Sequence, residues 1–97
     1  MSKYRVITSK LVAQNLIEHT AFISNVSVEA AKRFLSEYDA ILTRIENNPY
    51  EFQIDTSFGN PYGYRRAVFA KWYKCLFIVD ESVVFLDAVV DCRKDIN

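Results

Sequence analysis

Proline and glycine occur only twice each in these 97 residues, and all four lie between Pro49 and Gly63. That excludes a glycine-rich phosphate loop, confines the one long loop to a single stretch, and leaves the remainder free for regular structure. Cysteine is equally scarce, with Cys75 and Cys92 alone. If the last hairpin bends regularly at Asp80 to Ser82, Cys75 lies opposite about Asp87 and Cys92 falls roughly 15 Å further along, too far for a disulfide. Reduced thiols are expected. One histidine and an unmatched cysteine spacing give no zinc pattern, so neither a metal nor a cofactor is expected. No apolar run approaches the roughly 20 residues of a membrane span, and the opening MSKYRVITSK lacks the apolar block of a signal peptide. The expectation is a cytosolic protein with no membrane partner.

Net charge is also missing: twelve basic residues cancel twelve acidic ones. A neutral chain is poorly suited to general nucleic-acid binding, which depends on neutralising phosphate. Arg65, Arg66, Lys71 and Lys74 nevertheless follow one another between Tyr62 and Ile78 with no acid among them. They read either as a basic functional surface or as charges guarding a solvated edge strand.

What is present is a packed-domain composition, 51% apolar and 14% aromatic, with no repeat or low-complexity tract. A single domain over residues 1–97 follows, long enough to bury roughly 60–70% of the surface of its unfolded chain. Three runs rich in β-branched and aromatic residues, Tyr64 to Ala70, Trp72 to Val79 and Val83 to Val90, predict strands. The breaks between them are too short for a crossover helix, so they form an antiparallel meander. The middle run is apolar on both alternation sets and is central. The last should turn Val84, Leu86, Ala88 and Val90 to the core.

Upstream, Tyr4 to Thr8 predicts a short strand added to the meander. Ser9 is placed to cap a helix running to about Ser24, with Val12, Leu16, Ile23 and Val26 on one side. His19 lies on that apolar side, where a packed histidine is the expectation rather than a catalytic one. Ser27 opens a second helix with the clearest periodicity of the chain, Ala31, Phe34, Leu35, Tyr38, Ile41, Leu42 and Ile45. Asn47-Asn48-Pro49 ends it, with asparagine suited to a left-handed cap. The following loop carries Tyr50, Phe52, Ile54 and Phe58 and should pack down on the core. The predicted fold is α+β: a short N-terminal strand, then an antiparallel helical hairpin covering one face of an antiparallel sheet whose other face is open. No nucleophile elbow or paired-carboxylate arrangement is visible.

This order resembles the RelE/ParE superfamily of toxins from bacterial type II toxin-antitoxin modules. The likeness spans nearly the whole chain: the YRVIT strand, AAKRF early in the second helix, ENNPY at its end, GYRRAVF, WYKCLFIVDESVVFLDAVV and the closing DCRKD. The resemblance implies a RelE/ParE-like fold, a cognate antitoxin as partner in a toxin-antitoxin hetero-oligomer, and a target that is either ribosome-bound messenger RNA or DNA gyrase. In the nuclease branch the catalytic positions are mainly basic and lie on the open face. Carried over by motif, they fall on Arg65, Lys74 and Arg93, where fixed cations would stabilise charge developing on a phosphate. The family nucleases often add a tyrosine or histidine beyond the last strand; after Arg93 this sequence has neither.

Regular registers set Lys74 opposite about Val68 and Arg93 opposite about Phe69, spreading the three cations over roughly 10–17 Å. Asp87 and Asp91 are alternative ion-pair partners for them. Three functions therefore remain open: a toxin that cleaves messenger RNA, a toxin that inhibits by binding alone, and a non-toxic antitoxin-binding module of the same fold.

Overall fold

A computed structural model describes residues 3–56, 59 and 61–94 of the chain. Its elements are β1 (Arg5–Thr8), α1 (Lys10–Ser24), α2 (Val28–Asn47), β2 (Arg65–Phe69), β3 (Tyr73–Asp80) and β4 (Val83–Asp91), with 3-10 turns at Pro49–Glu51 and Cys92–Lys94. The four strands form one sheet in the order β1-β4-β3-β2. The meander is as the sequence predicts. The sheet as a whole is mixed, however, because β1 pairs with β4 in parallel.

The helical hairpin covers one face, α1 against β4 and α2 against β2. Phe34, Tyr38, Ile41 and Ile45 of α2 meet Phe69, Tyr73, Cys75, Phe77, Val84, Leu86 and Val89 in a continuous core. Ser27 caps α2 by accepting from the Ala30 N–H at 3.1 Å. Ser9 holds the corresponding position before α1, but its hydroxyl instead donates to the Asp87 carbonyl at 2.7 Å. Val26 also departs from the predicted stripe: it lies in the linker beyond α1, 84% exposed. Asn48 has φ −157° rather than a left-handed value, and Pro49 at once starts a 3-10 turn. Of the loop's large apolar residues, Phe52 joins the core, Tyr50 and Ile54 stay exposed, and Phe58 lies outside the described residues.

The largest departure is in β4. Regular pairing from Asp80↔Val83 to Phe77↔Leu86 is followed by Leu76↔Ala88, so Asp87 is an extra residue, a β-bulge. Side chains alternate strictly along a strand, and one extra residue exchanges the two faces beyond it. Val84 and Leu86 turn to the helices as predicted; past the bulge it is Val89 and Asp91 that share the face of Cys75 and Tyr73. Relative to regular registers the pairing moves by two residues, one from the two-residue turn Glu81-Ser82 and one from the bulge. Cys75 thus faces Val89 instead of Asp87, and Cys75 and Cys92 are not joined in a disulfide.

Because β1 ends at Thr8, β4 has no strand partner on that side beyond Leu86. Its buried backbone groups still require partners. Side chains of α1 supply them: Asn15 Oδ1 accepts the Val89 N–H at 3.0 Å, and His19 Nε2 donates to the Val89 carbonyl at 2.8 Å. His19 also packs edge-on against Tyr73, with ring centroids 4.8 Å apart. This is the packed histidine expected from its spacing. Among the described residues, no helix is long and apolar enough to cross a membrane.

Candidate functional site

The three cations singled out by sequence are fixed by three different parts of the fold. Arg65 pairs across β2 and β3 with Phe77, and directly opposed residues share a face, so Arg65 belongs to the helix-covered side. There its guanidinium donates to the Phe52 carbonyl at 2.7 Å and stands 5.0 Å from the centre of the Tyr50 ring. The turn Pro49–Glu51, following α2, delivers both partners. Placement on the open face, as the resemblance implies, is therefore corrected for Arg65. Its neighbour Arg66, opposite Leu76, is the arginine that shares the face of Lys74 and donates to Gln53 Oε1 at 3.1 Å.

Lys74 sits opposite Val68, as regular pairing predicts, and opposite Val90. Its ammonium is 2.8 Å from Asp55 Oδ2, with side-chain exposures of 5% and 0%. Asp55 reaches this position because the loop runs beside β2 as a short fifth strip: Ile54 bridges Arg65, the Asp55 N–H donates to the Tyr64 carbonyl at 2.8 Å, and the Arg66 N–H donates to the Gln53 carbonyl at 3.0 Å. Part of the face expected to be open is therefore closed at Lys74.

Arg93 follows β4 in the final 3-10 turn. Its Nε and Nη2 donate to the two oxygens of Asp91 at 3.0 and 2.8 Å, a fork-to-carboxylate pair, and its own N–H donates to Asp91 Oδ1 at 2.9 Å. The carboxylate holds the guanidinium above its already high ordinary pKa. The bulge explains the pairing, since it turns Asp91 inward beside Tyr73. Burial, and then the charge of Asp91, push the Tyr73 phenol up. Arg93 is 47% exposed and its guanidinium carbon lies 5.4 Å from the Trp72 ring centre. The anticipated roles of the two acids divide: Asp91 pairs with Arg93, whereas Asp87 accepts from the Tyr64 hydroxyl at 3.0 Å, the bond that chiefly raises the Tyr64 pKa.

Arg65, Lys74 and Arg93 therefore do not meet around one point. One is on the helix side, one is buried against an acid on the other side, and one extends past the end of the sheet. Sequence reasoning missed Asp55, the partner of Lys74. An acid between Ile54 and Thr56 in a loop rich in apolar residues, matched by a single lysine in an otherwise apolar central strand, was the available signal.

A groove of about 590 Å³ lies between the bend of the helical hairpin and the β2–β3 turn, lined by Phe22, Val26, Phe34, Trp72 and others, with Arg33, Lys71, Arg93 and Glu37 on its rim. The β2–β3 turn is tight. The Trp72 N–H donates to the Ala70 carbonyl at 2.7 Å and Lys71 has φ +69°, which together define a γ-turn of the rare positive-φ kind. Ala70 before it is also left-handed, at φ +48°.

No family model and no curated protein matches this sequence. Among solved structures, the chain is similar to one from the chromosomal ParDE TA system of P. aeruginosa, with a TM-score of 0.72 over 92% of this chain and 96% of that one, at 10% sequence identity. The fold is thus α+β and ParE-like. At such low identity the likeness defines an architecture and leaves the chemistry to the residues described above.

Proposed function

We propose that this chain is the toxin of a type II toxin-antitoxin module, held inactive by a cognate antitoxin protein and acting on its target by binding rather than by cleavage. The ParE-like fold supports membership of such a module. The binding mode is carried by the separation of Arg65, Lys74 and Arg93. Fixed cations lower the barrier to RNA cleavage when they converge on the oxygens where charge develops. Here one points to the opposite face and another is neutralised inside the protein, whereas inhibition by surface complementarity needs no convergence. DNA gyrase is the target class that fits a binding toxin of this resemblance.

Ribosome-dependent cleavage of messenger RNA by Arg65, Lys74 and Arg93 is the second reading. The exposed half of the Arg93 guanidinium favours it, since a phosphate can reach that group without rearrangement. It requires Lys74 to leave Asp55 and Arg65 to leave Phe52.

Induced expression with and without the protein encoded beside this chain tests membership of a module: growth arrest relieved by the neighbour is expected. Primer extension on cellular transcripts, run beside a gyrase supercoiling assay, separates the modes. Intact transcripts with loss of supercoiling are expected. New transcript ends that vanish in Arg93→Ala would overturn the binding mode and restore the nuclease.

A further inference from the structure

The groove at the hairpin bend combines exposed apolar walls with a charged rim. Phe22 is 59% exposed, Trp72 44%, and Val26 stands almost wholly in water, so three large apolar side chains meet solvent in one concavity. Contiguous apolar surface of this kind marks interaction sites. The rim is meanwhile unbalanced in charge: Arg33 and Lys71 stand against Glu37, while the charge of Arg93 is already met by Asp91.

Geometry holds these groups in place. The γ-turn projects Lys71 so that its ammonium stands 5.1 Å from the Trp72 ring centre, and Arg93 stands 5.4 Å from the same ring. Positive φ at Ala70 and Lys71 is an uncommon conformation for residues with a Cβ, and strained backbone concentrates at functional surfaces. The aromatic floor and its cations are thus set before any partner arrives, which reduces the ordering cost of binding.

We propose that this groove receives an amphipathic protein segment that sets a bulky apolar side chain against Trp72 and Phe22 and a carboxylate beside Arg33 and Lys71. Charge complementarity selects the acid, and the apolar walls select the anchor. A nucleic acid fits less well: a phosphodiester strand needs cations along a track, whereas here Glu37 interrupts the rim and Arg93 is already paired with Asp91. The inference rests on the partner half of the proposed function, since the segment would be the antitoxin's.

Trp72 is the only tryptophan, so its fluorescence reports occupancy of the groove directly. The test selects a displayed random dodecapeptide library on the full chain and titrates the enriched peptides against that signal. Expected are peptides that pair a bulky apolar residue with Asp or Glu, shift the emission, weaken with added salt, and bind Arg33→Glu/Lys71→Glu protein about tenfold less tightly or worse. Phe22→Ser, also exposed and checked by thermal melt, should lose binding as well. Enriched peptides without acids, binding indifferent to both variants, or an emission shift produced by a uridine oligonucleotide instead would overturn the proposal. No enrichment on a chain that arrests growth and is neutralised by its neighbour overturns the groove and spares the function. Enrichment of acidic anchors on a chain that leaves growth untouched supports the groove against the function.

Discussion

Lys74 and Asp55 form an ion pair of 2.8 Å whose two side chains are almost entirely withdrawn from water, joining the central strand β3 to the long loop. Removing one partner leaves an uncompensated buried charge. Lys74→Ala or Asp55→Ala should each lower stability by about 3–5 kcal/mol, whereas the pair Lys74→Met/Asp55→Leu should recover most of the loss. Urea denaturation of the four proteins forms a double-mutant cycle; additive losses would mean that the pair does not act as a unit. The same pairing warns that an inactive Lys74→Ala protein says nothing about catalysis unless it is shown to be folded.

The edge of β4 beyond Leu86, where β1 no longer pairs with it, offers a second test. Asn15 and His19 take the Val89 N–H and carbonyl, which no strand reaches. Asn15→Leu, isosteric but unable to accept, should cost about 1–3 kcal/mol, the usual consequence of orphaning a buried donor. A thermal melt unchanged from the wild type would mean that water replaces the amide.

Arg65 and Arg66 are sequence neighbours with opposite surroundings. Arg65→Ala loses a charge-assisted bond to the Phe52 carbonyl and the Tyr50 ring contact, and should destabilise by about 1–3 kcal/mol. Arg66→Ala loses an exposed bond to Gln53 and should stay within about 0.5 kcal/mol. Chemical denaturation of both variants decides it, and equal effects would contradict the assignment of faces.

Glu81 occupies φ +54° in the β3–β4 turn, a left-handed value that costs a residue with a Cβ about 1–2 kcal/mol. Glu81→Gly regains part of this against a larger unfolded-state entropy. The expected gain of about 1 kcal/mol corresponds to a rise in Tm of about 4–8 °C. A fall in Tm would show that the Glu81 side chain contributes more than its backbone costs.

Burial pushes the Cys75 thiol from its ordinary 9.0 up to about 12 and, as the largest cause, the Tyr38 phenol from 10.0 up to about 12. Both folded pKa values exceed the unfolded ones, so the unfolded chain loses these protons first. Stability should be whole below pH 9 and decline as the pH rises toward 12. Cys75→Ala should flatten part of that decline in denaturant titrations at pH 8 and above. In the native state near neutrality a thiol reagent should modify half-buried Cys92 and leave Cys75 untouched until denaturant is added.

Local pattern carried most of the architecture. The apolar period from Ala31 to Ile45, the Ser27 cap and the β-branched runs with short breaks are properties of neighbours in the chain, and the elements follow them to within a residue or so. The placement of His19 was legible for the same reason, as was the pairing of Lys74 with Val68 inside a short hairpin. The site was not legible. Whether β4 carries a bulge at Asp87 depends on how β1, α1 and Tyr64 engage that strand from far away in sequence, and a single extra residue then exchanges the faces of Val89, Val90 and Asp91. The face of Arg65 was equally nonlocal, set by the register of β2 on β3 and by the turn that brings Tyr50 and Phe52 over it. Alternation states which residues share a side but not which side the helices cover. Asp55 meets Lys74 only because the loop returns along β2, and no spacing in the chain encodes that contact. Sequence therefore determined the elements and their order, while tertiary structure decided which cations face the same way and which are already neutralised, because side-chain direction in a sheet depends on pairing between distant segments.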